Sequence, residues 1–560
     1  MPKLNHLLKY PATWLLLICA VNFFAALGGH TLWDVDEPNN AVCAREMLLA
    51  GNWWVPMFNG DYRFDKPILI YWLMMPVDAL FGINEWSARL PSALAMTALV
   101  LVVWAMMKRL LAGETKEKRE TTALLAATLF ATALHMAVIA RAAVPDPLLM
   151  LALGITLPAL LIVYLEGRVA APLKMPPMLI VAYVAIGFGT LAKGPIAGLM
   201  PLLIVSAFLT LNRDWKNWRL FMPFKGAVIA LGVALPWYIA VGLLTDGVWL
   251  EGFLFRHNLE RFTDPLQGHR GFPGLYLISI FAGWFPWSGL LAAMLAFGAW
   301  RLKALREQPI RLFMLCWLGV YIIFFSIAST KLPNYVLPVF PAVAMLMAYG
   351  WMQTGKSDKT RALNWLAWTA LILSVGMIIG GGIALHKMWP GEGYYTLALL
   401  PVTLVTLWWL MRKEKGKAEQ EELWMPLSVA MMTSVLLLTA WSVPGIDHHK
   451  VSKQLAEKAT ESGFDGSELA TFHYFQPSLL FYHGGRLPTL ENVQAVGEWL
   501  VDGKAIVITQ QALERLPKEI IPYLIVHERV YGMYARRWLL LVSLQPLANR
   551  TKEETTWPKQ

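Results

Sequence analysis

Residues 67–81 read PILIYWLMMPVDALF, and whether this stretch crosses a membrane decides the topology of the whole chain. It is apolar, but it is shorter than the roughly 20 residues that span about 30 Å of hydrocarbon. Pro76 and Asp78 interrupt it, and its Tyr71 and Trp72 suit a membrane–water interface. Counting it as a crossing would place the basic loop 108–119 on the outer side, against the lysine/arginine bias of inner loops. Laid on the outer surface instead, it lets the basic loops 108–119, 213–225, 301–311, 356–361 and 412–417 all fall inside. Arg168 with Lys174, and Lys3 with Lys9, then fall inside too, and about 13 spans result.

Working outward, residues 14–27, 123–139, 226–244 and 363–385 are further long apolar runs. Only 15% of the chain is charged and 57% is hydrophobic, against about 25% and 45–50% in a soluble protein. The expected fold class is therefore an α-helical polytopic membrane protein. The net charge of +10 sits at span ends, where topology explains it and nucleic acid need not be invoked. Cys19, Cys43 and Cys316 lie too far apart to suggest a disulfide framework or a zinc ribbon. Lys3 and Lys9 before an apolar run resemble a signal peptide, but no cleavage site follows, so the run reads as an uncleaved first span. After residue 443 the pattern changes. An amphipathic helix over 448–461 and strands over Ala505–Thr509 and 538–544 predict a small α/β domain outside the membrane. The expected division is a membrane domain over 1–443, with outer juxtamembrane helices within 30–90, and an outer α/β domain over 444–560.

The chemistry-bearing residues collect on the predicted outer side. Asp34, Asp36 and Glu37 follow the first span directly. A carboxylate there can act as a general base, bind a metal or orient a cationic sugar, although a loop carboxylate is more often merely solvated. Lys66 precedes the interfacial stretch, where it can meet a lipid phosphate or simply snorkel. Asp146 stands between two prolines in 141–150, RAAVPDPLLM, as a fixed carboxylate or an ordinary helix cap. Lys193 interrupts the apolar 190–201, TLAKGPIAGLMP, and an ionisable group at membrane depth suggests function. Arg256, His257, Arg261, His269 and Arg270 make 253–272 a basic outer loop suited to phosphate. Lys331 and Tyr335 open a later span, where the tyrosine also fits an aromatic belt. Transporters place polar groups near the bilayer midplane. Here they gather at one rim, which favours chemistry on a lipid-borne substrate over a flippase or solute transporter; an assembly scaffold whose C-terminal domain binds a partner is a third reading.

The segments LWDVDEPNNAVCAREMLLAGNWWVP (32–56), FDKPILIYW (64–72), GINEWSARLPSAL (82–94), AKGPIAGLMP (192–201), HNLERF (257–262) and KLPNYVLPVFP (331–341) occur in that order. Together they resemble the polyprenyl-phosphate-dependent glycosyltransferases of the GT-C fold. The resemblance is greatest to the bacterial lipid A aminoarabinose transferase family, itself related to protein O-mannosyltransferases. It implies transfer of a sugar from undecaprenyl phosphate to lipid A, or to another envelope glycan or protein, at the periplasmic face of the inner membrane. It also implies roles: Asp36 and Asp146 catalytic; Glu37, Lys66, Lys193, Arg256, Arg261 and Tyr335 in substrate binding. His257 with Asp65 would hold a divalent metal such as zinc. Two departures stand out. The family commonly reads Asp-Glu-Thr-Arg-Tyr where this chain has Asp36, Glu37, Pro38, Asn39 and Asn40, and it has Glu where this chain has Asp65.

Overall fold

The computed structural model describes residues 10–168, 174–255, 272, 274–297, 302–414 and 423–545. The chain divides into two compact units. The first takes the chain up to Leu27, Phe64–Ile70 and Arg89–Ser442; the second takes Gly28–Arg63, Tyr71–Ala88 and everything from Val443. Residues 28–63 and 71–88, assigned from sequence to the membrane domain as juxtamembrane segments, thus cluster with the C-terminal region.

The first unit is a helical bundle. Among the described residues eight helices are long and apolar enough to cross a membrane, and a ninth results if the bent pair Lys116–Ala131 and Leu134–Ala140 is one span. About thirteen crossings would also need the shorter helices Pro11–Phe24, Pro177–Lys193 and Ile196–Asn212 and the pair Leu275–Gly283 and Ser288–Phe297. The helix Asp146–Gly167 is largely enclosed by its neighbours, whereas Trp215–Leu244 leaves most of its apolar surface outward. Outward apolar side chains such as Phe224, Val228 and Leu243 have no reason to face water on a helix of this composition; lipid accounts for them. Prolines inside Glu85–Leu110, Asp146–Gly167 and Pro223–Leu244 fit the same reading, since membrane helices tolerate them when neighbours satisfy the freed carbonyls. The first helix ends at Phe24, and in the turn after it the carbonyls of Ala26 and Leu27 accept hydrogen bonds from Arg141 (3.0 Å) and the fully buried Arg89 (2.9 Å). Two cations on the carbonyl end of a helix also complement its dipole. Cys19, Cys43 and Cys316 are free and buried.

The stretch 67–81 is a helix over Leu69–Phe81 with Pro76 inside it. At 1.5 Å per residue it measures about 20 Å, too short to cross hydrocarbon of about 30 Å.

The second unit carries the α/β structure. A small hairpin joins β1 (Met57–Phe58) to β2 (Asp61–Tyr62). The main sheet contains β3 (Leu469–Phe472), β4 (Thr489–Leu490), β5 (Ala505–Thr509), β6 (Leu524–Gly532) and β7 (Arg537–Leu544), ordered β4-β3-β5-β7-β6. β3 pairs in parallel with β4 and β5, while β7 runs antiparallel to β5 and β6. All five residues of β5, Ala-Ile-Val-Ile-Thr, are buried, as a central strand covered on both faces requires. Phe472, Val496, Leu500, Ile506, Ile508 and Val542 form the core beside it. The predicted helix begins later than expected: a 3-10 turn covers Asp447–His449, and the α-helix runs Ser452–Glu461 with Leu455, Ala456 and Ala459 buried.

Candidate active site

In the first unit the structure joins two of the sequence candidates. Asp146 is the first residue of the helix Asp146–Gly167, entered through Pro145. Lys193 is the last residue of the neighbouring helix Pro177–Lys193. An acid at a helix N-terminus and a base at a C-terminus each complement the local dipole, and the side chains meet, Lys193 Nζ donating to Asp146 Oδ1 at 2.5 Å. The carboxylate is nearly enclosed; the ammonium keeps about a fifth of its surface open. The chain leaves Lys193 through Gly194 at φ +81°, where a Cβ would stand 2.8 Å from the Phe253 ring. Glycine is therefore needed twice over, for the dihedral and for the space.

In the second unit the three acids after the first helix have separate fates. Asp34 accepts hydrogen bonds from the Ser478 backbone N–H (3.0 Å) and from the Ser478 hydroxyl, a very short contact. Burial pushes its carboxyl above the usual range, only partly offset by Ser478 and by Lys450. Glu37 is buried and accepts from the Trp33 backbone N–H at 2.8 Å. Asp36, the first residue of the helix Asp36–Leu49, is exposed, and among the described residues no partner engages its carboxylate. Geometry singles out Asp36 as the acid left available to a ligand, and it turns Glu37 back onto the backbone that enters the helix, a contact the sequence did not suggest.

Residues far away in sequence hold the segment before Asp36. Asp447 accepts from the Thr31 backbone N–H and hydroxyl, both at 2.9 Å. Lys450 pairs with Asp447 at 2.7 Å, donates to the Thr31 carbonyl at 2.7 Å and stands 4.0 Å over the Trp33 ring. Burial alone would raise the Asp447 carboxyl, but Lys450 and Thr31 outweigh it and hold it below the usual range. The Tyr482 hydroxyl accepts from the Leu32 N–H at 2.9 Å and donates to Glu85 at 3.1 Å. Behind them the buried Arg45 donates to the carbonyls of Leu480 and Phe481 at 3.1 and 2.9 Å, at the C-terminal end of the helix Pro477–His483. Sequence reasoning missed all of these partners. Between the segments 31–85 and 447–482 the partners stand 397 to 450 residues apart, which leaves no local pattern to read.

Asp65 and Lys66 are half-buried in the bend before the helix Leu69–Phe81. Tyr335 lies in the 3-10 turn Pro333–Val339, its ring 5.0 Å from that of Phe325, and Lys331 Nζ donates to the Ala328 carbonyl at 2.8 Å. Arg256, His257 and Arg261 lie outside the described residues. Of the two metal donors that the resemblance implies, only Asp65 is therefore described. A zinc site takes three or four donors, of which Asp65 would be one.

Comparison with known proteins places these residues in a family. A model of the dolichyl-phosphate-mannose-protein mannosyltransferase family matches residues 65–239, a segment that includes Lys66, Asp146 and Lys193. An undecaprenyl phosphate-alpha-4-amino-4-deoxy-L-arabinose arabinosyl transferase of Pectobacterium carotovorum is 30% identical over 69% of this chain and 68% of its own length. The chain belongs to this arabinosyl transferase family. Another relative of the same name, from Erwinia tasmaniensis, is 33% identical over 60% of this chain, which spans 58% of that protein. The crystal structure of ArnT from Cupriavidus metallidurans bound to undecaprenyl phosphate superimposes with a TM-score of 0.74 at 18% identity, covering 96% of this chain and 99% of that one. The GT-C fold expected from the resemblance is thus the fold observed.

Proposed function

We propose that this protein transfers a sugar, aminoarabinose, from undecaprenyl phosphate to a lipid A phosphate at the periplasmic face of the inner membrane. The relatives whose names give the undecaprenyl phosphate aminoarabinose donor and its transfer support the donor half of the reading. The observation that carries it from the molecule itself is the Lys193–Asp146 pair at the ends of two apolar helices, a cation held where a lipid-borne phosphate arrives. The charges stand at span ends, as the sequence indicated, which disfavours a transport pathway through the midplane.

In the reaction the bond between the sugar's anomeric carbon and the polyprenyl phosphate oxygen breaks, and a new bond forms to an oxygen of the acceptor phosphate. The leaving group departs as an undecaprenyl phosphate monoester, whose growing charge needs cations. Lys193 and Lys66 serve that need, with Asp146 orienting Lys193 until phosphate competes for it. A phosphate acceptor is already an anion and requires no strong base. Asp36 then acts by charge, meeting the amino group of the sugar; with a hydroxyl acceptor it would take the proton. A divalent metal held by His257 and Asp65 belongs to the same reading, and metal analysis of wild type against His257→Ala tests it.

A related reading keeps the reaction but changes the sugar or the acceptor. Pro38-Asn39-Asn40, standing where the family has Thr-Arg-Tyr, favours it, because the missing arginine alters the phosphate and sugar contacts. Direct displacement inverts the anomeric carbon. Purified protein given a defined polyprenyl-phosphate sugar and lipid A should yield an inverted linkage by NMR; a retained one would contradict the mechanism.

A further inference from the structure

The helix Asp146–Gly167 has a second end, about 33 Å from Asp146 at 1.5 Å per residue. There the first unit builds a cavity of about 530 Å³, lined by Arg168, Arg213, Asp214, Lys216, Asn217 and Arg306. Its floor is an ordered network. The fully buried Tyr164 donates its hydroxyl to Asp214 at 2.7 Å and accepts from Asn212 at 2.6 Å. Asn217 donates to the same carboxylate oxygen at 2.8 Å, and Arg168 lies 3.9 Å from it. Burial would raise the Asp214 carboxyl, but Tyr164, Asn217, Arg168 and Lys216 outweigh it and hold it below the usual range. Arg306 donates its Nε–H to the Leu211 carbonyl at 2.7 Å. Among the described residues, Arg213, Lys216 and Arg306 form no ion pair.

The local charge can be weighed. Four cations face one ionised carboxylate. Arg168 and Arg213 cap the carbonyl ends of two helices, each end equivalent to roughly −0.5 charge. The remainder is about +2. Basic residues that only mark the inner side of a membrane disperse into water. These converge on one cavity over a buried hydroxyl–carboxylate network.

We infer that this cavity is a binding site for a phosphate-bearing anion, supplied by the headgroup of a lipid with two phosphodiesters, such as cardiolipin, in the leaflet opposite the Asp146 end. Basic pockets between membrane helices recognise such headgroups. The rim agrees with a lipid source over a dissolved phosphate: Trp215, between two lining residues, is half exposed, and Phe224, edge-on to Trp218 at 6.3 Å, is exposed on an outward apolar helix. Aromatic residues of this kind mark the lipid–water boundary. The inference is independent of the transfer reaction.

The test is thermal unfolding and native mass spectrometry of the full chain in detergent with added cardiolipin, phosphatidylcholine or inorganic pyrophosphate. Cardiolipin should raise Tm and stay bound, while phosphatidylcholine should not. Each cation removed should weaken retention about fivefold, so Arg213→Gln loses about fivefold and the charge reversal Lys216→Glu about 25-fold. Lys216 is exposed, so its variant keeps the fold. Pyrophosphate reproducing the whole shift would overturn the lipid source and leave a soluble diphosphate. Equal responses to cardiolipin and phosphatidylcholine, or cardiolipin retention unaffected by Lys216→Glu, would overturn the site.

Discussion

Lys193 and Asp146 are bound so closely that the loss of one exposes the other. Lys193→Ala leaves a nearly enclosed carboxylate without its cation, which costs about 3–5 kcal/mol when a buried pair is broken on one side. Lys193→Met with Asp146→Asn removes both charges and should recover most of that stability in thermal unfolding. It should not recover transfer, because the cation for the leaving phosphate is still missing; recovered transfer would reduce the pair to a structural role. A second residue carries a pH signature. Burial raises the carboxyl of Asp78 to about 6, and its hydrogen bond from Ser87, at 2.6 Å, only partly opposes this. The folded state therefore holds the proton more tightly than the unfolded chain. This stability is complete below the ordinary carboxyl value of 3.8 and is lost as pH rises through about 6. Asp78→Asn should flatten the fall in Tm across that window and stabilise the protein at neutral pH, by at most about 3 kcal/mol.

At the scale of elements, the segment 30–37 and the C-terminal region hold each other within one unit. Asp447, Lys450, Ser478 and Tyr482 fix the backbone that ends at Asp36. Ser478→Ala removes a donor from the half-buried Asp34 and should cost about 1–3 kcal/mol. If these contacts position Asp36, Ser478→Ala and Lys450→Met should lower kcat more than they raise KM for the lipid donor, in protein that still unfolds cooperatively. A change in KM alone would assign them to binding. The elements themselves were legible where pattern is local. The short helix Leu69–Phe81, the buried strand β5 and β7 each follow from length or apolar run. The clamp was not, because Asp447 and Lys450 look like ordinary surface charges until Thr31 is brought beside them. The start of the first C-terminal helix was displaced for a related reason: Asp447–His449 is drawn into a 3-10 turn from which Asp447 bonds the Thr31 backbone.

At the scale of the molecule, composition and the basic-loop bias indicated a polytopic chain, because lipid leaves few ways to satisfy a backbone. Sequence could not divide the chain into its two units, since 28–63 and 71–88 cluster with residues more than 350 positions away. The candidate residues were legible as a set through motif order, yet only the structure separates an exposed Asp36 from a half-buried Asp34 and a buried Glu37 and joins Lys193 to Asp146. The most direct test of the central claim is mass spectrometry of lipid A from matched cells carrying the wild-type protein, Asp36→Ala or neither. An aminoarabinose-sized addition on the lipid A phosphates that appears only with the wild type, while Asp36→Ala inserts normally, is the predicted result. Lipid A identical in all three would contradict the assignment of acceptor and sugar.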